Sequence, residues 1–502
     1  MANHIRHPIG DCRVPTAGDV GSVLPEWLRS ELRVLQRRMQ AELYLAGGTV
    51  RDLVLGRHPH DVDLVVPEKS HDWARGLADA IGGAYVPLGD EDAARVVFQE
   101  QVIDFSSFRE GAVTIEQDLR KRDLTINAMA VQITPFLQRE AVADDTSLTL
   151  LDPCAGMNDL QTQTIRCAEQ QILHSDPLRM LRAYRFSAVL GFDIDELTSR
   201  WIGEFCREIT RSAPERIYYE FRMVLESSNS AAVIGRMADS GMLWRLFPEL
   251  KKGVGMQQPA SHHLDVFEHS LEALRCLEEL LSDPCYGFSK SYIEVDNWLA
   301  EKNHRVLLKW AALFHDVGKP VTHAIDESRD GKITFYDHDQ QGMRVFSEIA
   351  ERLRMSTADR THVKHLIGLH MRPFHLGNVA REKELTIRAC TRLIRKAQGL
   401  LPGLFLLALA DTTAGKGDKR PLTLEKELEA VLERILQVQR ENVAPVLQAP
   451  PLVDGHDLID VLKLQPGPVF KTILAAIQDA QIEGAIQTKE EALILASSLA
   501  QG

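Results

Sequence analysis

Hydrophobic positions follow two regimes along this chain. From about Leu28 to Arg166, short β-rich runs (Glu42–Leu45, Val62–Val66, Arg95–Phe98, Val102–Phe105) alternate with helical stretches. That alternation predicts an α/β unit. From Ser175 onward the apolar positions take the helical period, as in DPLRMLRAYRFSAVL and ERIYYEFRMVLE. Breaks near Pro248–Ser261, Asp283–Phe288, Asp326–Lys332 and Ala444–Gly455 divide this helical remainder. Roughly the first 25 residues are polar and rich in Gly and Pro, and they predict a loose extension. There is no internal repeat and no low-complexity tract. The pattern predicts an N-terminal α/β head followed by a long all-helical body.

Length sharpens this picture, since 502 residues exceed one hydrophobic core and predict three or four domains. With 44% hydrophobic and 26% charged residues the chain reads as a globular protein of ordinary composition. The net charge of −13 announces no nucleic-acid partner in bulk, so any RNA must meet a local basic surface. Seven cysteines are scattered without a CxxC pair, which fits a reducing compartment and excludes the usual zinc-ribbon spacings. The opening MANHIRHPIGDCRVP lacks the apolar core of a signal peptide. The longest apolar run, Gly403 to Ala410, is far short of the roughly 20 residues that span a bilayer. The expectation is a cytoplasmic protein with no membrane partner.

The richest chemistry lies in LAGGTVRDLVLGRHPHDVDLVV, Leu45 to Val66. Gly47 and Gly48 end a short strand and open a helix expected to begin near Thr49; such a turn lets backbone approach a ligand, and a helix start suits phosphate. Asp61 and Asp63 follow two apart on a strand, where period 2 puts both carboxylates on one face. Two close carboxylates favour a cation between them, and hard oxygen donors suit Mg²⁺. Asp104, in VIDFSSFR, is a candidate third carboxylate.

The string L-x-G-G-x-x-R-D-x-x-x-G-x-x-x-x-D-x-D, with Arg51 and Asp52, resembles the signature of class II tRNA nucleotidyltransferases and bacterial poly(A) polymerases, within the polymerase-β superfamily. The resemblance continues in order. Lys121-Arg122-Asp123-Leu124-Thr125-Ile126-Asn127-Ala128 is similar to the family's RRDFTINA segment, which contacts the ribose and phosphates, and so implies Arg122, Asp123 and Asn127. Asp152-Pro153, Gly156, Asp159 and Ile165-Arg166 resemble the DPxxGxxDL…IR segment that joins head to neck. Asp176-Pro177-Leu178-Arg179, with Arg182 and Arg185, resembles EDPLRxLRAxRF. There Asp176 and Arg179, three apart and expected on one helix face, would read the Watson–Crick edge of the incoming base in place of a template. One departure is Ser175, where the family usually has Glu. Another is the segment between Arg109 and Leu119, only the nine residues EGAVTIEQD. Relatives that add the complete CCA usually carry a longer flexible loop there, so its absence resembles the CC-adding subgroup.

The body holds a second constellation. His315-Asp316 closes the apolar helix VLLKWAALFHDVGKP, with Lys319 following; His269 lies upstream on VFEHSLEALRCLEELL, and Asp411 ends LFLLALAD. Residues of these types from three helices resemble the HD phosphohydrolases, in which they ligate a divalent metal. His338 and His370 fall where two-metal members have further ligands. Imidazole and carboxylate without thiolate suit Mn²⁺, Ni²⁺ or Fe. His262 and His263 flank this site rather than ligate.

Together the resemblances imply an α+β protein: a polymerase-β-like nucleotidyltransferase head of mixed sheet and helices, then a helical neck, an HD domain and a helical tail. The expected divisions are 1–27, 28–165, 166–261, 262–415 and 416–502. The implied partners are the tRNA 3′ end, CTP and ATP, with Mg²⁺ in the head; Leu452 to Ala492 would be packing or a platform for the tRNA body. A bacterial poly(A) polymerase is the first alternative, but those commonly carry a basic tail and lack the HD residues, whereas this chain ends GAIQTKEEALILASSLAQG. The second alternative is an RNA-binding or signalling HD protein with an inactive head, and the retained Asp61, Asp63, Asp123, Asp176 and Arg179 speak against it.

Overall fold

A computed structural model describes residues 12–501 apart from 90–91, 110, 139–142, 260–262, 330 and 416–422. It forms two compact units, one of residues 1–229 with 236–246, the other of 230–235 with 247–502.

The first unit carries a seven-stranded mixed sheet of β1 (Tyr44–Ala46), β2 (Asp61–Val66), β3 (Ala84–Pro87), β4 (Ala93–Phe98), β5 (Gln101–Ser107), β6 (Ala130–Gln132) and β7 (Leu150–Leu151). The order is β3-β4-β5-β2-β1-β6-β7, and β2 runs parallel to β5 with Asp63 opposite Asp104. Each expected strand is present, displaced by a residue or two at its ends as helix and strand boundaries commonly are. The helix expected near Thr49 begins earlier, at Gly47. Gly47 has φ +66°, and a Cβ there would lie 3.0 Å from Arg122 Nη1 and 3.1 Å from Asp63 Oδ2, so the turn requires glycine.

The loose extension expected at the start is only partly so. Ala17–Val23 is a helix fastened by a capping box between Thr16 and Asp19, and it buries Ala17, Val20 and Val23. Three buried apolar residues on one face of this short helix outweigh the Gly and Pro signal. The DPCAGMNDL…IR segment folds on itself: Asp152 accepts from the N–H groups of Gly156 (2.7 Å) and Met157 (2.9 Å), and Arg166 Nε donates to Asp159 at 3.2 Å.

Among the described residues, the second unit is helical except for the paired strands Ala324–Asp326 and Lys332–Thr334, where the sequence showed only a break. Its core is the helix Leu401–Ala414, buried on nearly all sides and packed against Val266–Ser282 and His304–Phe314. Such all-round burial removes amphipathic period, which is why LPGLFLLALADTTA reads as one apolar run. A smaller cluster of Val453, Leu458, Ile473, Ile477 and Ile486 forms the centre of the tail. Among the described residues, no single helix is long and apolar enough to cross a membrane.

Candidate functional sites

In the first unit a cavity of about 530 Å³ opens over β2 and β5, lined by Gly47, Gly48, Arg51, Asp61, Asp63 and Asp104 among others. Asp61 is exposed and Asp63 half-buried, with buried Val62 pointing the other way between them, as strand alternation requires. Thr49 fixes the pair: its N–H donates to Asp63 Oδ2 (3.3 Å), its hydroxyl donates to Asp61 O (3.1 Å) and accepts from Asp63 N (2.7 Å). Burial pushes the Asp63 carboxyl up; Arg122 and the Thr49 N–H oppose this, and Asp104 adds to it, so the group ends above its ordinary range. Arg95 grips Asp104 through two bonds of 2.8 Å. An acid held up by desolvation and a neighbouring carboxylate is relieved by a divalent cation, and this all-oxygen donor set fits Mg²⁺.

Cations face these acids across the cavity. Arg122, Arg182 and Arg185 line it with Arg51, and gather local positive charge in a chain whose net charge is −13. Each is aimed by a partner. Arg51 donates to Asn127 Oδ1 and to Asp52 Oδ1, both at 2.9 Å, and Asp52 itself does not line the cavity. Arg182 Nε donates to Asp123 Oδ2 at 2.6 Å. Burial pushes the Asp123 carboxyl up, but Arg182 and Arg179 outweigh it and hold it well below the carboxylate range. Fully buried Asp118 accepts from Arg122 Nε (3.2 Å) and from the backbone N–H and Nη1 of Arg109 (2.9 Å each).

Asp176 and Arg179 depart from the expectation of one shared helix face. Asp176 closes the helix Gln170–Ser175 in extended conformation (φ −134°, ψ 98°), and Arg179 sits in the first turn of the next helix, Leu178–Leu190. The cause is Pro177, whose ring disfavours helical backbone in the residue before it. The residues still lie close in the chain, outside the cavity lining. Arg179 Nη1 donates to Ile172 O (3.4 Å) and Lys121 O (3.5 Å); Asp176 Oδ2 accepts from Arg216 Nη2 (3.1 Å).

Sequence reasoning missed Arg95, Asp118, Arg216 and Glu220. Glu220, buried, faces Arg185 at 3.2 Å and Arg182 at 3.7 Å. The signal for the last two was available, because Arg216 and Glu220 stand one turn apart in ERIYYEF.

The second unit gathers His269, His315, Asp316, His338, His370 and Asp411, all buried, from the helices Val266–Ser282, His304–Phe314, His338–Arg352, Thr357–Leu369 and Leu401–Ala414 or their ends. Asp316 lies between two donor groups. Its Oδ2 is 3.2 Å from His315 Nε2 and 3.8 Å from His269 Nε2, its Oδ1 3.5 Å from His338 Nε2 and 3.8 Å from His370 Nε2. Asp411 Oδ1 lies 2.9 Å from His269 Nε2. Gly318 lets these segments meet, since a Cβ there would fall 2.1 Å from His338 O.

Backbone hydrogen bonds turn the ring nitrogens of three of these histidines inward. Nδ1 of His315, His338 and His370 each bonds the carbonyl three residues earlier (Ala312, Phe335, Ile367) at 2.7–2.8 Å, which places a proton on Nδ1 and, in a neutral ring, leaves the lone pair on Nε2. His338 and His370 then point Nε2 at each other across 3.2 Å. Facing lone pairs need a positive charge between them. The same field acts on His315: burial disfavours its cation, yet Asp316 lifts it to about 9. Burial and the neighbouring His338 take His370 down to about 3. Lys319 Nζ rests 2.5 Å from Asp316 Oδ2. The set of imidazoles and carboxylates fits a divalent transition metal in each donor group, {His269, His315, Asp316} and {Asp316, His338, His370}. A cavity of about 920 Å³ opens onto Asp316, His338, His370 and Asp411. His263 is exposed and belongs to neither group, and His262 lies outside the described residues.

Comparison with known families and proteins accords with this two-site arrangement. Residues 43–166 match the poly(A) polymerase head domain, 191–253 the "Probable RNA and SrmB- binding site of polymerase A", 266–414 the HD domain, and 424–496 the tRNA nucleotidyltransferase domain 2. The chain is 31% identical to an A-adding tRNA nucleotidyltransferase of Deinococcus radiodurans, over 89% of this chain and 93% of that one. It is also 31% identical to a CC-adding tRNA nucleotidyltransferase of Thermus thermophilus, over 90% and 92%. In fold it is similar to a CCA-adding enzyme in its apo form, with TM-score 0.63, 22% identity and 97% of each chain covered. It is likewise similar to a complex of CCA-adding enzyme with CTP, with TM-score 0.63 and 20% identity, over 98% of this chain and 99% of that one.

Proposed function

This chain belongs to the tRNA nucleotidyltransferase family and is an enzyme of that kind, and we propose that it adds CC to the 3′ end of tRNA from CTP, in the cytoplasm and without a nucleic-acid template. Identity does not separate CC from A addition, being 31% to a relative of each kind. The observation that carries the CC reading is the short segment after Arg109. Thr114 caps a helix that begins at Ile115, and Asp118 on that helix ties back to Arg109. Hardly any chain is left over for a loop that re-forms the pocket between C and A.

In this reading Arg51, Arg122, Arg182 and Arg185 hold the triphosphate, with Asn127 and Asp123 keeping Arg51 and Arg182 aimed. Asp61 and Asp63, with Asp104 beside them, would hold Mg²⁺, which would supply activation of the 3′-hydroxyl and charge neutralisation on the triphosphate. Asp176 accepts from the base and Arg179 donates to it, so the protein supplies the edge that a template would. The division of labour follows the expected domains: head 28–165, neck 166–261, HD domain 262–415 and tail 416–502.

The HD site is a metal-dependent phosphohydrolase for phosphomonoesters or 2′,3′-cyclic phosphates at damaged RNA ends. His269, His315, Asp316, His338, His370 and Asp411 would hold the metals, which would supply a water of lowered pKa.

The CC reading is tested with tRNA already ending in CC and supplied with ATP. It predicts little or no A addition, whereas the same tRNA ending at the discriminator base gains two C from CTP. Efficient addition of a terminal A overturns the CC reading, and long poly(A) products favour the poly(A) polymerase alternative.

A further inference from the structure

We propose that Arg216 is a positioning residue for base selection, holding Asp176 in the orientation from which it meets the incoming base. This rests on the assignment of Asp176 and Arg179 as the base-reading pair. Ser175 cannot orient that pair: its hydroxyl donates to Ile172 O at 3.0 Å, back into its own helix, and Arg179 shares the same acceptor. Arg179 is steered by two backbone carbonyls, which leaves Asp176 to be fixed by something else.

Asp176 is fixed at both oxygens. Oδ1 accepts from its own chain at Leu178 N (3.1 Å), and Oδ2 accepts from Arg216 Nη2 (3.1 Å). A carboxylate offers about four lone-pair positions, so two remain for the base. With Oδ1 tied to the turn at Pro177, the charged bond from Arg216 fixes the carboxylate plane, and rotating it breaks both contacts. Arg216 comes from the helix Pro214–Glu226, whose Glu220, one turn on, faces Arg182 and Arg185 in the cavity. One helix therefore links the base-reading acid to the arginines assigned to the triphosphate. The pair is open to solvent, with side-chain exposures of 55% for Arg216 and 30% for Asp176. Exposed pairs of this kind add little to stability, so its removal is read in selectivity rather than folding.

The test compares CTP with UTP as donors to tRNA ending at the discriminator base, measuring kcat and KM separately. Arg216→Gln should lower the preference for CTP by ~5-fold or more, chiefly through KM for CTP, with kcat held within about threefold. Arg216→Lys should restore much of the preference, and Arg222→Gln, which breaks the pair with Glu226 on the same helix (2.8 Å), should leave it unchanged. An unchanged CTP preference in Arg216→Gln, while Arg179→Ala collapses it, overturns the positioning role alone. If Arg179→Ala also leaves the preference intact, the base-reading assignment fails and the inference with it.

Discussion

Asp61→Ala and Asp63→Ala should each lower nucleotide addition by at least ~10³-fold, because each removes an oxygen donor from the site proposed to activate the 3′-hydroxyl. Asp63 should be the more sensitive. It is the half-buried one, bonded to Thr49 and facing Arg122, whereas Asp61 is exposed. Asp63→Asn separates charge from shape, since it retains the Thr49 contacts and loses the carboxylate; it should be nearly as damaged as Asp63→Ala. Hydrolysis of p-nitrophenyl phosphate by the same preparations should be unchanged, because the HD residues lie in the other compact unit. Incorporation near the wild-type rate in Asp63→Ala would remove the acid pair from the chemistry.

His315→Ala and Asp316→Ala should reverse that pattern. Asp316 is common to both donor groups, so its loss should abolish metal-dependent hydrolysis of p-nitrophenyl phosphate and 2′,3′-cyclic AMP and leave nucleotide addition intact. Bound metal offers a second readout. Elemental analysis after dialysis against Mn²⁺ or Ni²⁺ should show Asp316→Ala losing more metal than His370→Ala, which touches one group only. Wild-type protein that binds metal yet hydrolyses neither compound would leave the site a structural one.

Much of this was legible in the sequence because the chemistry is local. The Gly47-Gly48 turn and the Asp61/Asp63 spacing specify strand, turn, helix and strand within about twenty residues. The HD ligands were legible as residue types on apolar helices, although what brings them together is long-range packing around Leu401–Ala414. What stayed hidden depended on partners distant in the chain, or on a single residue overriding a period. Arg95 meets Asp104 only through the antiparallel pairing of β4 and β5. Arg216 meets Asp176 across forty positions. Pro177 broke the helix on which Asp176 and Arg179 were expected to sit, and buried apolar residues turned part of the expected loose N-terminus into a capped helix. The strands Ala324–Asp326 and Lys332–Thr334 were hidden because they are three residues each, too short for an alternation to read.

The most direct measurement incubates the purified full chain with Mg²⁺, labelled CTP and a tRNA transcript ending at the discriminator base, and resolves product length at single-nucleotide resolution. The account predicts a tRNA lengthened by two C residues, with no RNA template present and no extension in Asp63→Ala. Failure to extend the tRNA with CTP, ATP or both, in protein whose HD site still hydrolyses p-nitrophenyl phosphate, would contradict it.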